Sequence, residues 1–106
     1  LLPSIPTPRF KEPWGLVCNE AFEQARPIIA TTAVGAVAGG LVVDGATGLV
    51  VAPADPAALA RSIALALDDG ALRARLGTAA HAAVQPYTYE AMANAFDHAL
   101  ATAGVR

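Results

Sequence analysis

Glu12 and Glu20 stand with seven residues between them in the stretch EPWGLVCNE, and among those seven is Gly15, a residue that lets other groups approach the backbone closely. If a helix opens at Gly15, the amides of Gly15, Leu16 and Val17 have no acceptor in a preceding turn and sit at the positive end of the helix dipole. Such an end can cradle a phosphate group through the backbone alone. Glu20 lies about one turn further in, on the face opposite Cys18, Ala21 and Phe22, with its side chain tilted back toward the helix start. A carboxylate beside a diphosphate is unfavourable unless it binds a neutral, donor-rich group, and the vicinal diol of a ribose is such a group. Glu12 falls on the loop side, and chain rise puts the two carboxylates ~10 Å or more apart. That exceeds the ~5 to 9.5 Å of a glycosidase carboxylate pair and suits two ends of one elongated ligand. The alternative is that Asn19, Glu20 and Glu23 form only the solvated face of an amphipathic helix.

Other residues carry less chemistry. His81 and His98 have no partner at metal-ligand spacing. Cys18 shares the apolar stripe with Ala21 and Phe22 and reads as a small core residue. Trp14 could stack on a ligand or anchor the loop in the core. Tyr87 and Tyr89 precede the last helix and read as a helix-entry anchor or as packing between domains. Gly35, Gly39 and Gly40 do not form a GxGxxG pattern and read as a flexible turn or as a close backbone approach to a ligand.

The elements that must hold these residues follow from periodicity and breakers. Leu1 and Leu2 read as the tail of a buried strand, and Pro6 and Pro8 make the next segment a loop. Cys18, Ala21, Phe22 and Ala25 recur at helical spacing, which predicts a first helix from about Gly15 to Ala25, stopped by Pro27. Residues 27–31 (PIIAT) and Leu49 to Val51 read as short buried strands, joined by a glycine-rich connection and the turn-forming Asp44 to Gly48. Asp55-Pro56 is a helix start in which Asp caps and Pro occupies a position that needs no amide. Three helices are expected to close the chain, with buried stripes at Leu59, Ile63, Ala66 and Leu67, then Leu72, Leu76, Ala79 and Ala83, then Met92, Phe96, Ala99, Leu100 and Ala103. Strands alternating with helices predict an α/β fold with a Rossmann-like open parallel sheet and a helical C-terminus.

The 106-residue chain is 55% hydrophobic and 15% charged with a net charge of -2, a globular composition. Alanine supplies much of the apolar content, so core volume per residue is modest. Lys11 is the sole lysine, the arginines are scattered, and no basic stripe is available for nucleic acid. Any phosphate contact within the chain therefore falls to the backbone. One cysteine excludes an internal disulfide and a CxxC metal site, and a cytoplasmic location is expected. The start at Leu1 without Met, with Met92 as the only methionine, reads as a piece of a longer protein.

EPWGLVCNEAF followed by PIIAT resembles the C-terminal domain of the retaining glycosyltransferases of family 4, which have the GT-B fold and carry an E-x7-E motif. The likeness continues through AVGAVAGGLVVDGATGLVV, PADPAALARSIALALDDGALRARLG and YTYEAMANAFDHAL. Residues 1–106 are thereby identified as the C-terminal portion of a donor-binding domain. The resemblance implies sugar transfer from a nucleotide sugar to an acceptor, a saccharide, lipid or small molecule, with retained anomeric configuration. It maps the donor site onto Glu12, Trp14, Gly15, Leu16, Val17 and Glu20. Glu20 would hold the ribose hydroxyls, and Glu12 would act catalytically by holding the sugar and stabilising charge on it. No metal or cofactor is implied.

The basic phosphate-binding residues are expected upstream, and an N-terminal domain is expected to pack against this one and to carry most of the acceptor site. In the parent, a place at the inner membrane surface is a further expectation. A non-catalytic GT-B-like module that keeps the fold is the alternative. The chain departs from the family pattern at Ala25-Arg26, where glycine and an apolar residue are usual, and at Ala38-Gly39-Gly40, where a Pro-Glu step is common.

Overall fold

The computed structural model describes residues 1–105. Its elements run α1 (Val17–Glu23), β1 (Ile28–Thr31), α2 (Gly35–Ala38), β2 (Gly48–Val51), α3 (Pro56–Asp68), α4 (Gly70–Val84) and α5 (Tyr89–Thr102). β1 and β2 pair in parallel, with Ile28 opposite Gly48 and Thr31 opposite Val51. On the other side of β1, Leu2 bridges Ala30 in the same parallel sense. Its amide donates to Ile29 O at 2.9 Å and its carbonyl accepts from Thr31 N at 3.3 Å. The expected α/β architecture with a parallel sheet is therefore present, and the tail of a strand at Leu1-Leu2 is its third track.

Side chains alternate across the sheet as strand geometry requires. Ile28 and Ala30 face a core of Cys18, Phe22, Val34, Leu41, Val42, Ala80 and Val84, contributed by α1, α2 and α4. Ile29 and Leu49 face the other way and meet Leu76, with Leu59, Ile63, Ala66 and Leu72 half-buried around them. Phe22 is the largest fully buried side chain, and burying such a ring contributes roughly 1.5 to 3 kcal/mol. Thr47 closes the loop before β2, donating from its hydroxyl to Leu41 O at 2.8 Å and accepting from Val43 N at 2.9 Å.

The helix starts follow the expected chemistry. Asp55 Oδ1 accepts from Ala58 N at 2.9 Å with Pro56 beginning α3. Asp69 serves α4 in the same way through Leu72 N at 2.8 Å, and Thr88 serves α5 through Ala91 N at 3.0 Å. Arg73 reaches back over the end of α3 and donates to the carbonyls of Ala66 and Leu67 at 2.6 and 2.7 Å, satisfying acceptors that the helix leaves open.

Four expectations are corrected. The first helix opens at Val17, not Gly15, because Gly15 takes φ +91, outside helical geometry. It ends at Glu23, and Ala25 follows at φ +52. The glycine-rich connection contains a single helical turn, α2. Leu67, expected on the buried stripe of α3, is 71% exposed, since Ile63 and Ala66 already fill the face toward the sheet. The apolar stripe of α5 is wholly exposed, with Phe96 at 65%, because this helix leaves the domain beyond Tyr87 and lies against no layer of it.

Candidate functional site

The loop that holds Glu12 and leads into α1, which carries Glu20, stands at the carboxyl ends of the strands. Leu2 runs beside β1, and Thr31 Oγ1 donates to Ser4 O at 2.6 Å, so the chain leaves the sheet where β1 ends. It returns over the start of α2, where Gly35 N donates to Glu12 O at 3.1 Å and Ala36 N donates to Trp14 O at 2.8 Å. In open α/β sheets this carboxyl end is where ligands bind.

Close packing fixes the loop from below. A Cβ on Gly35 would overlap the carbonyl of Pro13, and one on Gly39 would strike the Trp14 ring. Gly15 is buried, and a Cβ there would lie 2.6 Å from Leu2 Cδ2 and 3.7 Å from Glu12 Cγ. The side-chain stem of Glu12 therefore runs beside Gly15. With φ +91 and no room for a side chain, glycine is required at this position on both counts.

The backbone turn at Gly15 leaves a row of donors. Cys18 N donates to Gly15 O at 2.9 Å and Glu20 N to Leu16 O at 3.1 Å. Among the described residues the amides of Gly15, Leu16 and Val17 donate to no protein acceptor. Three successive free amides in a turn form a concave anion site even before the helix begins. The later helix start thus moves Gly15 out of α1 without removing the cradle.

The carboxylates flank this row. Glu12 is half-buried, Glu20 is exposed on α1, and Leu16 and Val17 are exposed. Cys18 and Phe22 are completely buried on the opposite face of α1, as the helical stripe predicts. Burial pushes the Cys18 thiol up, and the nearby Glu12 carboxylate adds to the rise. Cys18 is a protonated core thiol here and not a nucleophile.

Trp14 is half-buried. Its indole N–H donates to Asn19 Oδ1 at 2.8 Å, and its ring lies 5.7 Å from that of Tyr87 at 35°. Asn19 had been grouped with the solvated face of α1; the signal for its role is that a half-buried indole needs an acceptor, and Asn19 is the polar group within one turn. His81 sits on the exposed side of α4, its Nδ1 3.3 Å from Phe22 O, far in the fold from Glu12. Among the described residues no three His, Cys, Asp or Glu side chains gather as a metal site.

The larger concavity of the molecule, about 560 Å³, is elsewhere. It is lined by Leu1, Pro27, Ile28, Ile63, Leu67 and Arg73, among others, toward the amino ends of the strands, and brings no carboxylate to its wall. A second groove of about 380 Å³ runs from Trp14, Leu16 and Asn19 to Tyr87, Tyr89 and Met92. It adjoins the amide row.

Comparison with known proteins places the chain in a family. Residues 1–83 match the family described as glycosyl transferases group 1. A D-inositol 3-phosphate glycosyltransferase of Streptomyces avermitilis is 38% identical over 91 residues, which is 83% of this chain and 18% of the relative. The sucrose-phosphate synthase of Thermosynechococcus elongatus superposes with a TM-score of 0.77 at 33% identity, over 90% of this chain and 24% of that one. Anabaena Alr3699/HepE, solved in complex with UDP-glucose, superposes with a TM-score of 0.76 at 28% identity, over 88% and 25%. The chain spans less than a fifth of the length of the curated relatives it matches. Its parallel strands and helices follow the GT-B fold of these structures, and the chain belongs to the glycosyl transferases group 1 family.

Proposed function

We propose that this chain is the C-terminal, donor-binding part of a retaining glycosyltransferase of family 4, acting with an N-terminal domain that contributes the acceptor site. The observation that carries the reading is the row of free amides at Gly15, Leu16 and Val17, flanked by Glu12 and Glu20 at the carboxyl ends of parallel strands. A nucleotide sugar presents groups in the matching order: sugar hydroxyls, a diphosphate and a ribose diol. The UDP-glucose in the Anabaena structure supports this ligand class.

In this reading Glu12 accepts hydrogen bonds from the donor sugar, and the backbone of Trp14, Gly15, Leu16 and Val17 meets the diphosphate. Glu20 accepts both ribose hydroxyls. The bond from the anomeric carbon to the β-phosphate oxygen breaks, and the acceptor oxygen bonds to that carbon on the same face and gives its proton to the departing phosphate oxygen. Charge builds on the leaving diphosphate, where fixed amide dipoles stabilise it better than mobile water can. Basic side chains from upstream complete that stabilisation, and no metal or cofactor is required. Glu12 stabilises the oxocarbenium-like sugar by position and charge, not by forming a bond. The acceptor is a saccharide, a lipid or a small molecule, and the whole enzyme works in the cytoplasm or at the inner face of the membrane.

The test is nuclear magnetic resonance of the full chain titrated with UDP and, separately, GDP. The amide resonances of Gly15, Leu16 and Val17 are expected to move with at least one of them. Shifts confined to other parts of the chain, or absent with both, would refute the reading.

A further inference from the structure

Tyr87 lies in the short connection between α4 and α5, where its amide donates to Val84 O at 2.9 Å and Thr88 N donates to Pro86 O at 3.1 Å. Its ring meets that of Trp14, 73 positions earlier in the chain. Trp14 is held on three sides: by Asn19 Oδ1 on α1 at 2.8 Å, by the Tyr87 ring at 5.7 Å, and by the bare backbone of Gly39 on α2. Its own carbonyl is fixed by Ala36 N, two residues after the carbonyl of Glu12 is fixed by Gly35 N. A rigid indole joined in this way transmits displacement, because an aromatic ring has few torsions with which to absorb it.

We propose that Tyr87, with Asn19, is a positioning residue for the Glu12–Val17 loop, acting through Trp14. The seating of the free amides is thereby coupled to the α4–α5 connection. Asn19 lies on α1 two residues after Val17 and Tyr87 lies in the α4–α5 connection, and the two meet at the indole. Because α5 is exposed along its whole described length, the connection at Tyr87 is what sets its direction, and any body that engages α5 acts on the same ring. The loop's contact with a donor rests on the function proposed above; the coupling itself concerns only the contacts of Trp14.

Amide hydrogen exchange in the full chain, without ligand, separates the two. Tyr87→Ala and Asn19→Ala are expected to speed exchange of the Gly35 and Ala36 amides at least about tenfold, since these donate to the loop carbonyls, and to leave the amides of β1 and β2 unchanged. Tyr87→Phe, which keeps the ring, and Asn19→Asp, which keeps the acceptor oxygen, are expected to restore the slow rates. Trp14 is the only tryptophan, so its emission is expected to shift to longer wavelength in the two alanine variants alone. Unchanged exchange at Gly35 and Ala36 would overturn the proposal, as would equal acceleration at every amide, which marks general destabilisation. UDP and GDP then test the donor site independently: a wild-type chain that binds neither while showing the expected exchange pattern retains the coupling and loses the donor reading.

Discussion

Gly77 on α4 packs directly on the carbonyl of Ala25: a Cβ at Gly77 would occupy the space of that oxygen. α4 therefore approaches the end of α1 as closely as backbone atoms allow. Gly77→Ala must push the two apart, and Leu76, Ala80 and Val84 on the same helix are core residues, so the shift spreads inward. Overpacking of this kind costs about 1 to 3 kcal/mol. Chemical denaturation is expected to show that loss as a lower midpoint, and an unchanged midpoint would mean that α4 can move away freely.

Ala25 itself occupies a left-handed conformation, φ +52, at the close of α1. Arg26 N donates to Ala21 O at 2.9 Å and Ala25 N to Phe22 O at 3.0 Å, the pair of bonds by which helices end on a left-handed residue. Glycine is the usual occupant because a Cβ is strained there. Ala25→Gly is expected to stabilise the fold by about 0.5 to 1 kcal/mol, the strain relieved exceeding the entropy that glycine adds to the unfolded chain. A thermal midpoint equal to or below wild type would contradict this.

These two positions show how far sequence reading reaches. Ala25-Arg26 stands out as a departure from the family pattern, but only the hydrogen bonds show that alanine has been placed where left-handed geometry is needed. The buried face of α1, the two strands and the Asp55-Pro56 helix start are legible because each rests on local chemistry or on periodicity. The stripe of α5 has the same periodicity as that of α4, and nothing local says that one meets a sheet and the other does not. Periodicity identifies a face that can be buried; topology decides whether anything lies against it. In the site, Glu12, Gly15 and Glu20 are legible from residue type and spacing, whereas the seat of Trp14 is not, because Tyr87 and Gly39 approach it from distant parts of the chain.

Cys18 gives the stability a pH dependence of defined sign. Its thiol is pushed above its ordinary range by burial, reinforced by Glu12. The native state thus holds the proton more tightly than the unfolded chain does. Its contribution is fully present below the ordinary thiol range and is lost as pH rises through and beyond it. Between neutral pH and about pH 10 the denaturation midpoint of the wild type is expected to fall more steeply than that of Cys18→Ala. Parallel pH profiles for the two proteins would show that the thiol does not titrate differently on folding.

The two glutamates make separable predictions for the whole enzyme. Glu20 is exposed on α1 and its side chain makes no packing contact in the core, so Glu20→Ala is expected to leave stability within about 0.5 kcal/mol of wild type. If its carboxylate accepts both ribose hydroxyls, the loss of charge-assisted hydrogen bonds costs about 1.5 to 3 kcal/mol, roughly a 10- to 100-fold rise in the donor dissociation constant. Glu12→Gln keeps size and most hydrogen bonding but removes the charge that, in the proposed function, serves the donor sugar. Its expected effect falls on turnover, about 10- to 100-fold, with donor affinity nearly retained. Calorimetric donor binding and steady-state transfer rates, measured side by side on both variants, distinguish the roles. If Glu20→Ala binds donor as wild type does and Glu12→Gln turns over at the wild-type rate, neither carboxylate serves the donor, and the pair is only a loop carboxylate and a solvated residue of α1.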